Sequence, residues 1–115
     1  MGDLTTHFSR AEFRDKRANA YRDPPCRLLV VLELLRAEIG RPLVIVSGYR
    51  TAATNRAVGG ARESRHLLAD AVDIPAGYAT VAQAAAAGAV GIGSRDGWAV
   101  HLDVRPGAPA RWTYP

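Results

Sequence analysis

Residues 27 to 39 constrain this chain most. Leu28, Val31, Leu32, Leu35 and Ile39 recur at helical spacing, while Glu33, Arg36 and Glu38 fall off that stripe. Leu29, Val30 and Leu34 widen the apolar face, so this helix is expected to be the most buried one. Pro24-Pro25 suits its start, since proline is tolerated in a first helical turn. Gly40 ends it as a residue free to take a positive φ, and Pro42 follows.

The remaining elements are shorter. Ser9 and Glu12 have capping-box spacing and open a short helix that fails around Arg17 to Asp23. Leu43-Val44-Ile45-Val46, β-branched and apolar between Pro42 and Ser47-Gly48, reads as a buried central strand. Thr51 to Val58 reads as a helix capped by Thr51 and ended by Gly59-Gly60. Ala71 to Ile74 reads as a second strand, stopped by Pro75. Thr80 to Ala87 is alanine-rich and helical by propensity. Val90 to Gly93 and Trp98 to Val104 read as strands joined by a turn at Ser94 to Gly97, where Asp96-Gly97 is a turn signal. Arg111 to Tyr114 adds a last short strand. Helices first and strands late predict an α+β fold, with a small, mainly antiparallel sheet packed against the N-terminal helices. A chain of 115 residues that is 48% hydrophobic fits one compact domain spanning 1–115.

Several function classes are disfavoured. The formal net charge is +4, carried almost entirely by arginine, with Lys16 the only lysine. A mild positive field favours anionic partners. The charges are scattered, however, with no basic stripe and no aromatic platform, so nucleic acid is not an expected partner. No apolar run approaches the roughly 20 residues that span a bilayer. Met1 to His7 lacks the basic-then-apolar pattern of a signal peptide, so action outside the cytoplasm needs release by a phage or delivery by another segment. Cys26, the only cysteine, excludes an intrachain disulfide and a thiolate metal cluster, and reads as a small buried hydrophobe. The small size favours a monomer.

The chemistry-bearing residues lie later. Zinc takes His nitrogen and Asp oxygen, and a catalytic zinc keeps three protein ligands with one position open. His66, Asp73 and His101 supply such a set. His101 and Asp103 alternate onto one face of their strand, which a merely solvated face explains as well. Asp73 sits between Val72 and Ile74, where a carboxylate is costly unless paired or metal-bound. Backbone amides or an arginine would satisfy it too. Arg50, just past a strand, offers a guanidinium fork suited to a carboxylate or an oxyanion, although arginine is frequent enough here for a surface role.

Taken together, Ser47-Gly48-Tyr49-Arg50-Thr51, Asn55 to Ala61, Ser64-x-His66 with Asp73, and Val100-His101-x-Asp103 resemble the zinc D-Ala-D-Ala carboxypeptidase family. These are the M15-type peptidoglycan peptidases, which include cell-wall-cleaving enzymes of phages and bacteria. Phe8-Ser9-x-x-Glu12-Phe13 and Leu35-Arg36-x-x-Ile39-Gly40-Arg41-Pro42 are similar to that family's opening, so the resemblance runs from His7 to Trp112. It implies a Hedgehog/DD-peptidase-like fold and a Zn2+ ion held by His66, Asp73 and His101. It further implies Arg50 on the substrate or the oxyanion, and Ser64 and Tyr49 beside the substrate. The substrate it implies is the peptidoglycan stem peptide, cut by a D-Ala-D-Ala carboxypeptidase or an L-Ala-D-Glu-type endopeptidase, at the cell wall or in the periplasm.

Two positions depart from the pattern. Ala69 stands where a glycine is usual, and a methyl group there strains a backbone that needs positive φ. Trp98 stands three residues before His101, where many members carry the acidic general base. Asp103 is then the nearest base, with Asp96 as the alternative. A non-catalytic, zinc-holding wall-binding or phage structural module of the same fold stays open beside the peptidase.

Overall fold

The computed structural model describes residues 2–115, and the fold is α+β. Ser9 opens α1 (Arg10–Phe13), its N–H donating to the Glu12 carboxylate at 2.7 Å. The single turn buries Phe13 edge-to-face against Phe8. Helix α2 (Cys26–Ile39) ends at Gly40, whose φ of +70° lets its N–H donate back to the Arg36 carbonyl at 3.1 Å.

Leu28, Leu29, Val31, Leu32 and Leu35 of α2 are buried against the sheet. Val30 and Leu34 do not widen that face: they are 56% and 53% exposed. Cys26 is exposed as well, not the buried hydrophobe expected. One layer covers this helix on one side only, so the apolar run is wider than the face it buries.

Four strands follow in the spatial order β1-β3-β2-β4, with β1 at Ala71–Asp73, β2 at Gly91–Arg95, β3 at Trp98–Asp103 and β4 at Ala110–Thr113. Strand β3 pairs antiparallel with both β1 and β2, while β4 runs parallel to β2, so the sheet is mixed. Asp96 and Gly97, at φ of +53° and +83°, turn β2 into β3. Helix α3 (Ala52–Ala57) is capped by Thr51, and α4 (Val81–Ala86) by Thr80 with Gln83 in a reciprocal box. None of these helices is long and apolar enough to cross a membrane.

The run Leu43 to Val46 is not a central strand. It lies along the outer edge of β1, where the Val46 N–H donates to the Asp73 carbonyl and the Asp73 N–H to the Ser47 carbonyl, each at 2.8 Å. Leu43 and Ile45 face the core while Val44 and Val46 face outward. That alternation belongs to a segment with one covered face, whereas a central strand is covered on both.

This edge segment leads straight into the Gly48–Thr51 corner, and buried Asp15 holds that corner. Its carboxylate accepts from the N–H groups of Thr51 and Ala18, both at 2.9 Å, and the Tyr49 N–H donates to the Phe13 carbonyl nearby. Burial pushes the Asp15 carboxyl up, but the bonds from Thr51 and Ala18 outweigh it and bring the pKa down to about 2. A depressed pKa stabilises the fold above the unfolded value, and that contribution fades as pH falls from about 4 toward 2. Asp15→Asn is therefore expected to cost about 2 kcal/mol at neutral pH and to flatten the acid limb of stability. Urea midpoints of both proteins at neutral and at acid pH check this; equal midpoints at neutral pH contradict it.

Candidate metal centre

His66 lies in a 3-10 turn, Arg65–Leu68, whose start is capped by the Ser64 hydroxyl accepting from the His66 N–H at 3.2 Å. The turn ends at Ala69 with φ of +61°, so the position where the resemblance expects glycine does require the left-handed region. An alanine methyl there costs about 1–2 kcal/mol. The turn carries His66 into the protein interior, 2% exposed, with Nδ1 at 2.7 Å from the Gly48 carbonyl. A carbonyl only accepts, so Nδ1 carries the proton and Nε2 presents its lone pair.

His101 is held the opposite way round. Its Nε2 lies 2.8 Å from Asp103 Oδ2, so Nε2 donates and Nδ1 points at the neighbouring carboxylate. Asp73 Oδ1 lies 3.1 Å from His66 Nε2 and 3.4 Å from His101 Nδ1, while Asp73 Oδ2 accepts from Arg50 Nη2 at 2.8 Å. The three ligand atoms lie within 4.8 Å of one another. Around a tetrahedral cation with bonds such as zinc makes to nitrogen and oxygen, ligand atoms sit about 3.3 Å apart. The donor set suits such an ion, and the separations of Asp73 Oδ1 from the two imidazole nitrogens match that spacing. The partners behind each ligand (a carbonyl, a carboxylate and a guanidinium) are those that orient metal ligands elsewhere.

Without a cation, three lone-pair donors would face one another, and a proton on His101 relieves this. Burial pushes the His101 pKa down, but its bonds to Asp103 and Asp73 outweigh that and raise it above the ordinary value. Burial likewise pushes Asp73 and Asp103 up. The bond from a protonated His101 to Asp73, and those from Arg105 and His101 to Asp103, leave both carboxyls well below the usual range.

Asp103 has no exposed surface. It accepts from Arg105 Nε at 2.9 Å, Arg105 Nη2 at 2.6 Å and the Arg105 N–H at 3.1 Å, besides His101. A Cβ on Gly91 would lie 2.3 Å from its Oδ2, so the missing side chain makes its berth. The carboxylate expected as general base thus lies behind His101 and off the cavity wall. Asp96, in the β2–β3 turn, and Trp98 do not line the cavity, and neither does Tyr49.

The cavity itself holds about 810 Å³. Arg50, Ser64, His66, Asp73 and His101 line it as expected from the sequence. Glu63, Arg95, Arg105, Trp112 and Tyr114 line it too, and sequence reasoning did not single them out. Arg105 had a signal, since it continues the alternation of His101 and Asp103 by two residues. Trp112 had none, because its place depends on the parallel pairing of Gly93 with Trp112.

An α+β fold whose cavity wall carries a His-Asp-His set, both imidazoles buried and each ligand held from behind, defines a candidate site for a single divalent cation. The model of the family Peptidase M15 matches residues 6–103, and the chain belongs to that family. A search of curated proteins found no match.

Two outcomes follow from the geometry. Asp103→Asn is expected to weaken zinc binding by roughly 10–100-fold without changing the far-ultraviolet spectrum; unchanged affinity in a competition titration would contradict the role of Asp103. Because the metal-free His101 holds a proton past its ordinary pKa, zinc uptake near neutral pH should release protons. Calorimetric titration in buffers of different ionisation enthalpy measures this, and buffer-independent heats would contradict it.

Proposed function

We propose that the protein is a zinc-dependent peptidase that hydrolyses peptide bonds in the peptidoglycan stem peptide. The observation that carries this reading is the convergence of His66 Nε2, Asp73 Oδ1 and His101 Nδ1 at the wall of an open cavity, in a chain matched by the Peptidase M15 model. When bound there, a zinc ion polarises a substrate carbonyl and lowers the pKa of water.

The chain's own groups do the rest. Gly48 and Asp103 fix the two imidazoles, and Arg50 fixes Asp73, so these three act as positioning groups. With Asp103 buried, Glu63 is the carboxylate that lines the cavity without belonging to the ligand set. In this reading Glu63 takes the proton from the attacking water and returns it to the leaving amine. Arg50, on the same wall, faces the charge that develops on the carbonyl oxygen. The net positive charge of +4 suits an anionic wall polymer.

Zinc-loaded protein incubated with purified peptidoglycan is expected to release new amino groups, and a chelator or His66→Ala to stop the release. Glu63→Gln should lower kcat by about 10²–10⁴-fold with zinc content unchanged. Tight zinc binding with no release of amino groups would instead identify a non-catalytic wall-binding module.

A further inference from the structure

The turn that carries His66 is made from unfavourable parts. Its 3-10 bonds, from the Leu67 N–H to the Ser64 carbonyl and from the Ala69 N–H to the His66 carbonyl, span 3.2 Å each. Such bonds are poorer in geometry than those of an α-helix. The turn closes through Ala69 at φ of +61°. Among the described residues two other non-glycines have positive φ, Asn19 and Asp96. Asparagine and aspartate enter that region because their short polar side chains bond locally, and alanine has no such help.

One ion pair brackets the turn. Arg65 is its first residue and Asp70 the one after Ala69, and the two pair across it. Arg65 Nε donates to Asp70 Oδ1 at 3.1 Å and Arg65 Nη2 donates to Asp70 Oδ2, so the grip is two-pronged. Asp70 is buried, and its carbonyl accepts from the Val104 N–H at 3.0 Å, just past the end of β3. It is therefore a fixed point on the sheet, to which Arg65 ties the loop side of the turn. A buried carboxylate keeps its partner, because letting go would leave the charge uncompensated. The peptide held this way serves two cavity residues at once. The His66 carbonyl accepts from the Ala69 N–H and also from the Arg50 N–H at 3.0 Å.

We propose that Arg65 and Asp70 are positioning residues for His66: their pair holds the turn in the left-handed closure that Ala69 resists, and so offsets the missing glycine at 69. Neither residue belongs to the ligand set. The role concerns the placement of His66 and is independent of whether a peptide is cut there. Its consequence is specific: the need for the ion pair disappears once a glycine stands at 69.

The test is a double-mutant cycle of Asp70→Asn and Ala69→Gly. Zinc affinity is measured by competition with a chromogenic chelator, and hydrogen exchange at the amides of residues 50 and 69 on the zinc-free proteins. Asp70→Asn is expected to weaken zinc binding about tenfold and to speed exchange at both amides. With glycine at 69 the same substitution should weaken binding by no more than roughly threefold and leave exchange as in Ala69→Gly alone. Arg65→Lys keeps the charge but loses the two-pronged grip, and it repeats the comparison if Asp70→Asn does not fold. A loss with alanine at 69 and none with glycine is then the expected result. Equal losses in the two backgrounds overturn the proposal, because a pair that merely stabilised the fold would act alike in both. Either readout unchanged by Asp70→Asn in a zinc-binding parent overturns it too. No zinc binding by the parent, with the exchange pattern intact, would refute the metal centre and sustain the brace.

Discussion

One row of residues across the sheet carries the site. Asp73 on β1 pairs with His101 on β3, His101 with Gly93 on β2, and Gly93 with Trp112 on β4. The adjacent row on the same face runs Ala71, Asp103, Gly91, Ala110. Functional side chains thus alternate with alanine and glycine, and the small residues leave room for the large ones. The residues between, Val72, Leu102 and Ile92, point to the other face and into the core. A slip of one residue would turn His101 and Asp103 into the core and Leu102 out of it. The hydrophobic packing of one face therefore specifies the metal geometry of the other.

The two imidazoles are held by different means for a reason that lies in their backbones. His66 comes from a loop, where Gly48 brings a carbonyl close: a Cβ on Gly48 would lie 2.8 Å from the Phe13 Cα. His101 comes from a strand whose carbonyls are engaged in the ladder, so its partner must be a side chain two residues along the same face. That side chain is Asp103, and burying it requires a cation, which Arg105 supplies a further two residues on. Removing either member of the Asp103–Arg105 pair would leave the other charge uncompensated beside the ligand.

Much of this was legible in the sequence, and the losses have physical causes. The helix over 26–39, the Thr51 and Thr80 caps and the Asp96-Gly97 turn are local features, set by propensity and capping. The α+β class followed from their order. The role of Leu43 to Val46 was misread because a short apolar run looks the same at a sheet edge as at its centre; only the burial alternation separates the two. The side-by-side placement of His101 and Asp103 was legible from period-two alternation. Whether that face is solvated depends on what covers it, and β4 and the Arg65–Leu68 turn cover it from distant parts of the chain. Trp112 and Tyr114 were invisible for the same reason, since nothing in a local window announces a parallel pairing with β2.

The distribution of charge around the cavity follows from the same construction. Arg50, Arg65 and Arg105 each meet an aspartate that serves a structural purpose, whether as ligand, as loop anchor or as support for His101. Their charges are largely spent on those partners, with the two carboxylates of Asp70 and Asp103 buried behind the wall. The charges that line the cavity are then the Asp73 carboxylate with Arg50 beside it, the Glu63 carboxylate, and the guanidinium groups of Arg65, Arg95 and Arg105. A divalent cation held there would meet a single ligand carboxylate, Asp73, so the metal-holding wall would stay net positive and favour an electron-rich group of the ligand. The other wall, from β4 and the end of β2, is joined to the ligands through the pairings of Gly93 with His101 and with Trp112, so one register places both walls.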